Sequence, residues 1–222
     1  MNIDDILQEF EESETPVTSN IHNNLITAMI NERMSPELLP FAQTTMTTAL
    51  TAISNQQQYL IDSHEYGDSV GSTSEFKLNT MIIETEIERL CYLVRMYLRT
   101  RLSKLDKFTI YYINEEQEDS KLLSAEEKEY IHKYAHLLTQ LYNNCFLKKV
   151  PPSLTLLDDT SGGQSMITTP DTNQHVFVKS VTSKPITLFI DNDDIELKRD
   201  GIYVVKYGLV KQYIELGDVI LI

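Results

Sequence analysis

The sequence predicts an α+β chain, with an amino-terminal all-α helical domain followed by a small carboxyl-terminal β-rich domain. Three observations carry this. Through residue 150 the apolar residues recur at spacings of three and four between cap signals. From Pro151 to Ser165 the composition turns to Pro, Gly, Ser and Asp. Beyond that the pattern alternates and becomes β-branched. The predicted division is a docking peptide over 1–15, a helical domain over 16–150, a linker over 151–165 and a small β domain over 166–222.

In NIDDILQEF, Ile3, Ile6, Leu7 and Phe10 fall at i, i+3, i+4 and i+7. Asn2 can cap the segment, and Asp4 and Asp5 lie near the positive end of its dipole. So short a helix does not hold alone, and acidic, polar residues follow it, so it is expected to order on docking into a partner's groove. Burying the four apolar side chains offers about 6 to 12 kcal/mol gross. Ordering cancels much of this and leaves an affinity of roughly micromolar.

Asn20 can cap a helix to about Arg33. Ser35, Pro36 and Glu37 predict the opening of a second helix running to about Ile61, with Pro40 disturbing its first turn. Residues 63–75, with Gly67, Gly71 and four serines, read as a loop. A long charged helix follows, ETEIERLCYLVRMYLRTRLSKLDKF over Glu84–Phe108. Ile83, Ile87, Leu90, Val94, Tyr97, Leu98, Leu102 and Leu105 form its apolar stripe; Arg89, Arg95, Arg99, Arg101 and Lys104 crowd the flanks. From Met81 to Phe108 the rod is about 42 Å long.

Glu86 can pair with Arg89 at i,i+3, whereas Arg95, Arg99 and Arg101 have no acidic residue at i±3 or i±4. Their partners are expected on another helix or another chain. Arginine suits the second case, because its planar fork pairs carboxylates and its stem covers apolar surface. A break over Asn114–Ser120 precedes Ser124 and Glu127, a capping box for a helix through Lys149 with Ile131, Leu138, Leu141, Tyr142 and Cys145 inward. HVFVKSV, ITLFI, DIELK, GIYVVKY and DVILI are the predicted strands, separated by Asp191-Asn192-Asp193, Asp200-Gly201 and Gly217-Asp218. So small a β domain leans on something larger, and the apolar end at Leu221 and Ile222 needs pairing or a partner.

The formal charge of −14 repels phosphates overall and argues against a self-sufficient nucleic-acid binder. Cys91 and Cys145 lack CxxC spacing and are expected as buried thiols in a reducing compartment. No apolar run reaches membrane-span length and the acidic start is unlike a signal peptide, so a soluble intracellular protein is expected. His132 and His136 have ligand spacing, but HKYAH lacks the glutamate of HExxH and any third ligand. Asp191, Asp193 and Asp194 lack the glycine and closing glutamate of an EF-hand. Gly162-Gly163-Gln164-Ser165 lacks the GK[ST] of a P-loop, and Asp158-Asp159 has no apolar pocket around it. No catalytic constellation, metal site or cofactor site is expected.

Three segments, NERMSPELLPF at Asn31–Phe41, the Glu84–Phe108 helix with its ERL and YLRTRLSK elements, and GIYVVKYGLVKQYIELGDVILI, together resemble the Sld-type subunit of the GINS complex in a fungal form. The resemblance runs in order along nearly the whole chain. It implies a nuclear, non-ATPase scaffold in a tetramer of four related subunits. That tetramer joins the hexameric MCM ring and its RecJ-like partner in the replicative helicase and meets DNA only indirectly. Under it, Arg89, Arg95, Tyr97, Arg99, Arg101, Lys104, Leu221 and Ile222 are the expected subunit interface. NIDDIL also resembles the peptide with which fungal subunits bind the trimeric hub that tethers DNA polymerase alpha. Ile3, Asp4, Asp5, Ile6 and Leu7 match it, and Phe10 stands where a leucine is expected. The alternative is a nucleic-acid-binding module on the 84–108 helix, whose six basic and four acidic residues leave +2.

Overall fold

The computed structural model describes residues 16–67, 74–115, 122–151, 167–182, 185–190 and 193–222. The docking peptide with Ile3, Asp4, Asp5, Ile6, Leu7 and Phe10, the linker from residue 152 with Asp158, Asp159 and Gly162–Ser165, and the turn residue Asp191 lie outside them. Helices come first and strands last, the expected α+β order. The helices are α1 (Pro16–Met34), α2 (Gln43–Gly67), α3 (Ser74–Lys107), α4 (Thr109–Glu115) and α5 (Ala125–Cys145), then a 3₁₀ turn at Leu147–Lys149. The carboxyl module follows as β1 (His175–Ser180), β2 (Ile186–Ile190), β3 (Asp193–Leu197), β4 (Ile202–Lys206), α6 (Tyr207–Leu216) and β5 (Val219–Leu221).

The chain forms two compact units. One joins the chain through Met29 to Ala42–Leu98; the other joins Ile30–Phe41 to Arg99–Ile222. In the first, Leu25 of α1, Met46, Ala49 and Ile53 of α2, and Ile87, Leu90, Leu93, Val94 and Tyr97 of α3 are the buried apolar side chains. These recur at the three- and four-residue spacings that align one helix face. The Ala42 amide, which precedes α2 and has no intrahelical acceptor, donates to the Tyr97 hydroxyl at 3.1 Å. Correcting the sequence reading, α2 starts at Gln43 rather than Ser35, and helix fills 63–67 and 74–75 at the edges of the expected loop.

In the second unit the end of α3 and helices α4 and α5 share a core of Leu105, Phe108, Tyr112, Leu123 and Ile131 with Leu38. The capping box at the head of α5 is present. The Ser124 hydroxyl accepts from the Glu127 amide at 3.2 Å, and the Glu127 carboxylate accepts from the Ser124 amide at 3.0 Å. Ser124→Ala should therefore lower stability by about 1 kcal/mol, read as a shift in the urea midpoint at unchanged slope. Helix α5 ends at Cys145 rather than Lys149. Ile131 is buried, but Leu141 and Cys145 are exposed and Cys91 is half-buried, so neither thiol is the buried one expected.

The five predicted strands form two antiparallel sheets, one of order β4-β1-β5 and a β2-β3 hairpin. In β1, Val176, Val178 and Ser180 face inward, and Phe177 pairs with Val204 of β4. Sequence reading missed α6, whose Tyr207, Val210 and Ile214 at i, i+3 and i+7 pack in the core with Val176, Val178, Val205, Val219 and Leu221. Gly217 stops α6 at φ +80, which lets the Asp218 amide reach the Tyr213 carbonyl at 3.0 Å. Leu39, from far up the chain, completes this core.

Candidate functional site

Between α1 and α2 the segment Ser35–Phe41 is not helical. Leu38 enters the α4-α5 core and the next residue, Leu39, enters the core of the sheets. Sending adjacent side chains into two separate cores suits a non-helical backbone, and this overrides the local helix-start signal at Ser35. Tertiary bonds hold the segment. The Leu38 amide donates to the Tyr112 hydroxyl at 2.8 Å, and the Ser35 hydroxyl donates to the Glu37 carbonyl at 2.8 Å.

Under this segment lies Arg101, with a relative exposure of 0%. Its Nε and Nη2 grip Glu127 at 2.7 and 3.0 Å, and Nη1 donates to Glu32 at 2.8 Å and to the Leu39 carbonyl at 2.6 Å. Nη2 also donates to the Leu122 carbonyl at 2.9 Å, so all five guanidinium N–H groups have acceptors. Its flat face covers the Phe41 ring at 5.1 Å. Lys104, one turn on, donates to Glu32 Oε1 at 2.7 Å, to the Ser35 hydroxyl and Glu37 carbonyl at 2.8 Å each, and to the Glu32 carbonyl. Burial pulls the Lys104 ammonium below its ordinary range, and the Glu32 carboxylate opposes that shift.

Glu37 extends the network into the carboxyl module. It accepts from the Tyr207 hydroxyl at 2.9 Å and from Lys211 at 2.8 Å. Asn31 accepts from the Leu221 amide at 2.8 Å. Burial raises the Tyr207 phenol, reinforced by the Glu37 charge; burial raises Tyr112 as well, against the Leu38 amide bond. Both folded-state values lie above the ordinary phenol value of about 10, so the unfolded chain ionises first. Their contribution is whole below pH 10 or so and is lost as pH climbs past it. In a phenolate absorbance titration these two tyrosines should ionise only as the protein unfolds, and Tyr207→Phe should remove one from that late step.

The network redistributes the expected interface. Arg101, Tyr97 and Leu221 are buried within the chain itself, at 0, 2 and 2% exposure, and Lys104 is committed to Glu32. Each of these side chains already meets its own chain's carboxylates, backbone or core. Arg89, Arg95 and Arg99 are exposed, with Arg89 loosely beside Glu86 at 3.7 Å and Arg95 Nε on the Cys91 carbonyl at 3.1 Å. Ile222 is 42% exposed and lies with the sheets. Large apolar side chains also face solvent: Leu78, Met81, Ile82 and Tyr92 on α3, and Leu137 and Leu141 on α5. Sequence reading missed Glu32, Glu37 and Glu127 as the arginine's and lysine's partners.

Among the described residues, no group of three His, Cys, Asp or Glu side chains is placed to hold a metal, and no helix is long and apolar enough to cross a membrane. His132 and His136 are exposed on α5, and Asp193 and Asp194 belong to β3. The arrangement contains a charge-compensated lock, not an open polar cleft.

Comparison with known proteins extends this picture. Residues 3–146 match the family model of the GINS complex protein helical bundle domain, Sld5, and residues 170–222 match that of the DNA replication complex GINS protein SLD5 C-terminus. The chain is 59% identical to the DNA replication complex GINS protein SLD5 of Debaryomyces hansenii, over 100% of this chain and 98% of that protein. It is 31% identical to its counterpart in Schizosaccharomyces pombe, over 99% and 98%. With that of Saccharomyces cerevisiae it shares 32% identity, over 90% and 80%.

Proposed function

The chain belongs to the SLD5 family of GINS complex proteins, and on that premise we propose that it is a non-catalytic scaffold subunit of a heterotetrameric GINS assembly. In this reading it acts in the nucleus within the replicative helicase, beside the MCM ring and its RecJ-like partner, and serves both initiation and fork progression. The observation that carries the proposal is the outer surface of α3, where Leu78, Met81, Ile82 and Tyr92 are exposed with Arg89, Arg95 and Arg99. Exposed apolar side chains of this size, interleaved with arginine, have the make-up of a protein interface. Three related subunits are the natural cover.

Coexpression with those subunits tests this. The wild-type chain should co-elute as one complex, and Met81→Asp with Ile82→Asp should remove it from the complex while its helical circular dichroism persists. A wild-type chain that stays monomeric in the presence of all three would overturn the reading. The segment 1–15 is proposed as a separate contact, docking through Ile3, Asp4, Asp5, Ile6, Leu7 and Phe10 on the hub that tethers DNA polymerase alpha. Its deletion should abolish hub copurification and leave the tetramer intact.

The alternative of a nucleic-acid module loses its footing. With Arg101 and Lys104 turned inward, Arg89, Arg95, Arg99 and Lys107 remain on the 84–108 segment against Glu84, Glu86, Glu88 and Asp106, four charges of each sign.

A further inference from the structure

The three-stranded sheet buries one face on α6 and leaves the other open. Outward positions are paired across the strands: Phe177 opposite Val204, Lys179 opposite Ile202 and Ile220, and His175 opposite Lys206. Ile222 adds to this face, its amide bonded to the Phe177 carbonyl at 3.1 Å. Phe177, Ile202 and Val204 are 58, 63 and 56% exposed, although valine, isoleucine and phenylalanine are the residues a sheet normally turns inward.

We propose that this face is the docking site for an acidic amphipathic helix of a partner protein. Charge supplies the first argument. In a chain of net charge −14, the charged side chains at outward strand positions here are Lys179 and Lys206, both basic, with His175 beside them. Lys179 also meets Asp200 of its own chain at 3.0 Å, an exposed pair that a partner's carboxylate would have to share or displace, whereas Lys206 stands open on the same face. Size supplies the second. Three strands spaced about 4.8 Å apart give an apolar strip roughly 10 Å wide, the diameter of one helix rather than of a domain face. A nucleic-acid strand fits less well, since its phosphates would reach two lysines and leave the apolar centre wet. The occupant therefore carries apolar residues at i, i+3, i+4 and i+7 with Asp or Glu on both flanks.

The test selects from a phage-displayed library of helical peptides on the full chain assembled with its related subunits, and in parallel on the full chain alone. Acidic amphipathic sequences should be enriched in both. Their binding should be lost with Val204→Asp and weakened at least about tenfold with Lys179→Glu plus Lys206→Glu. Both changes sit on outward-facing positions, and unchanged circular dichroism and co-elution would show the fold and assembly intact. No enrichment, enrichment of basic peptides, or equal binding by Val204→Asp would overturn the proposal. So would protection of a Val204→Cys thiol from maleimide in the assembled complex, read in a chain that also carries Cys91→Ser and Cys145→Ser, which would put a sibling subunit on the face. Failure of the chain to assemble would count against the scaffold reading alone, because the selection on the single chain still decides this one.

Discussion

Arg101→Ala should cost about 3 to 5 kcal/mol, a fifth or more of the stability of an ordinary domain, read as loss of soluble yield or a collapsed denaturation midpoint. The reason is what the change leaves behind. Glu32 and Glu127 would remain buried, at 1 and 6% exposure, with their shared cation removed. The Leu39 and Leu122 carbonyls would lose their donor as well. Arg101→Lys should fall between, because an ammonium restores the charge but brings three donors to the place of five in a fixed fork. Combining Arg101→Met with Glu127→Gln should recover part of the loss by removing the unpaired charge, while Glu32 keeps its partner Lys104. If Arg101→Ala unfolds at the wild-type midpoint, the network is not what holds this unit.

Leu39→Ala should cost about 2 to 5 kcal/mol, through lost burial and the cavity left among residues that cannot all collapse into it. The informative readout is where the loss falls. Leu39 precedes the sheets by more than a hundred positions in the chain, yet it packs with Val176, Val178, Tyr207 and Leu221. Amide exchange should therefore rise in β1, β4 and α6. Leu38→Ala should produce a loss of similar size, but in α4 and α5, where Leu38 packs with Tyr112 and Ile131. If both variants loosened the same elements equally, the assignment of the two leucines to separate cores would be wrong.

What could be read without coordinates was what is local. The Ser124-Glu127 box and the five strands depend on neighbours in sequence, and each is found where its pattern stands. Helix α6 was legible too, from Tyr207, Val210 and Ile214 at helical spacing, but the strand runs on either side obscured it. Arg101 also left a sign. It sits four residues after Tyr97 and four before Leu105, inside the apolar stripe, whereas Arg95 is flanked at those distances by Cys91 and Arg99. A cation in that stripe has to be buried and paired. Its partners could not be named, because Glu32 and Glu127 are brought to it by tertiary packing across 69 and 26 positions. Ser35 misled for the converse reason. Its hydroxyl has the chemistry of a helix cap but closes on Glu37 in a turn, since two cores compete for Leu38 and Leu39.

The bond from the Leu221 amide to Asn31 spans 190 positions. During synthesis, residues 30–41 emerge early, yet Glu37 and Leu39 meet Tyr207, Lys211 and Leu221 only once the carboxyl module has been made. Until then the Leu39 side chain and the Glu37 carboxylate lack the contacts that β1, α6 and β5 supply. Removing β5 would thus do more than trim a sheet edge. It would take Val219 and Leu221 from the core that holds Leu39, and the amide that meets Asn31, and so loosen a segment far earlier in the chain.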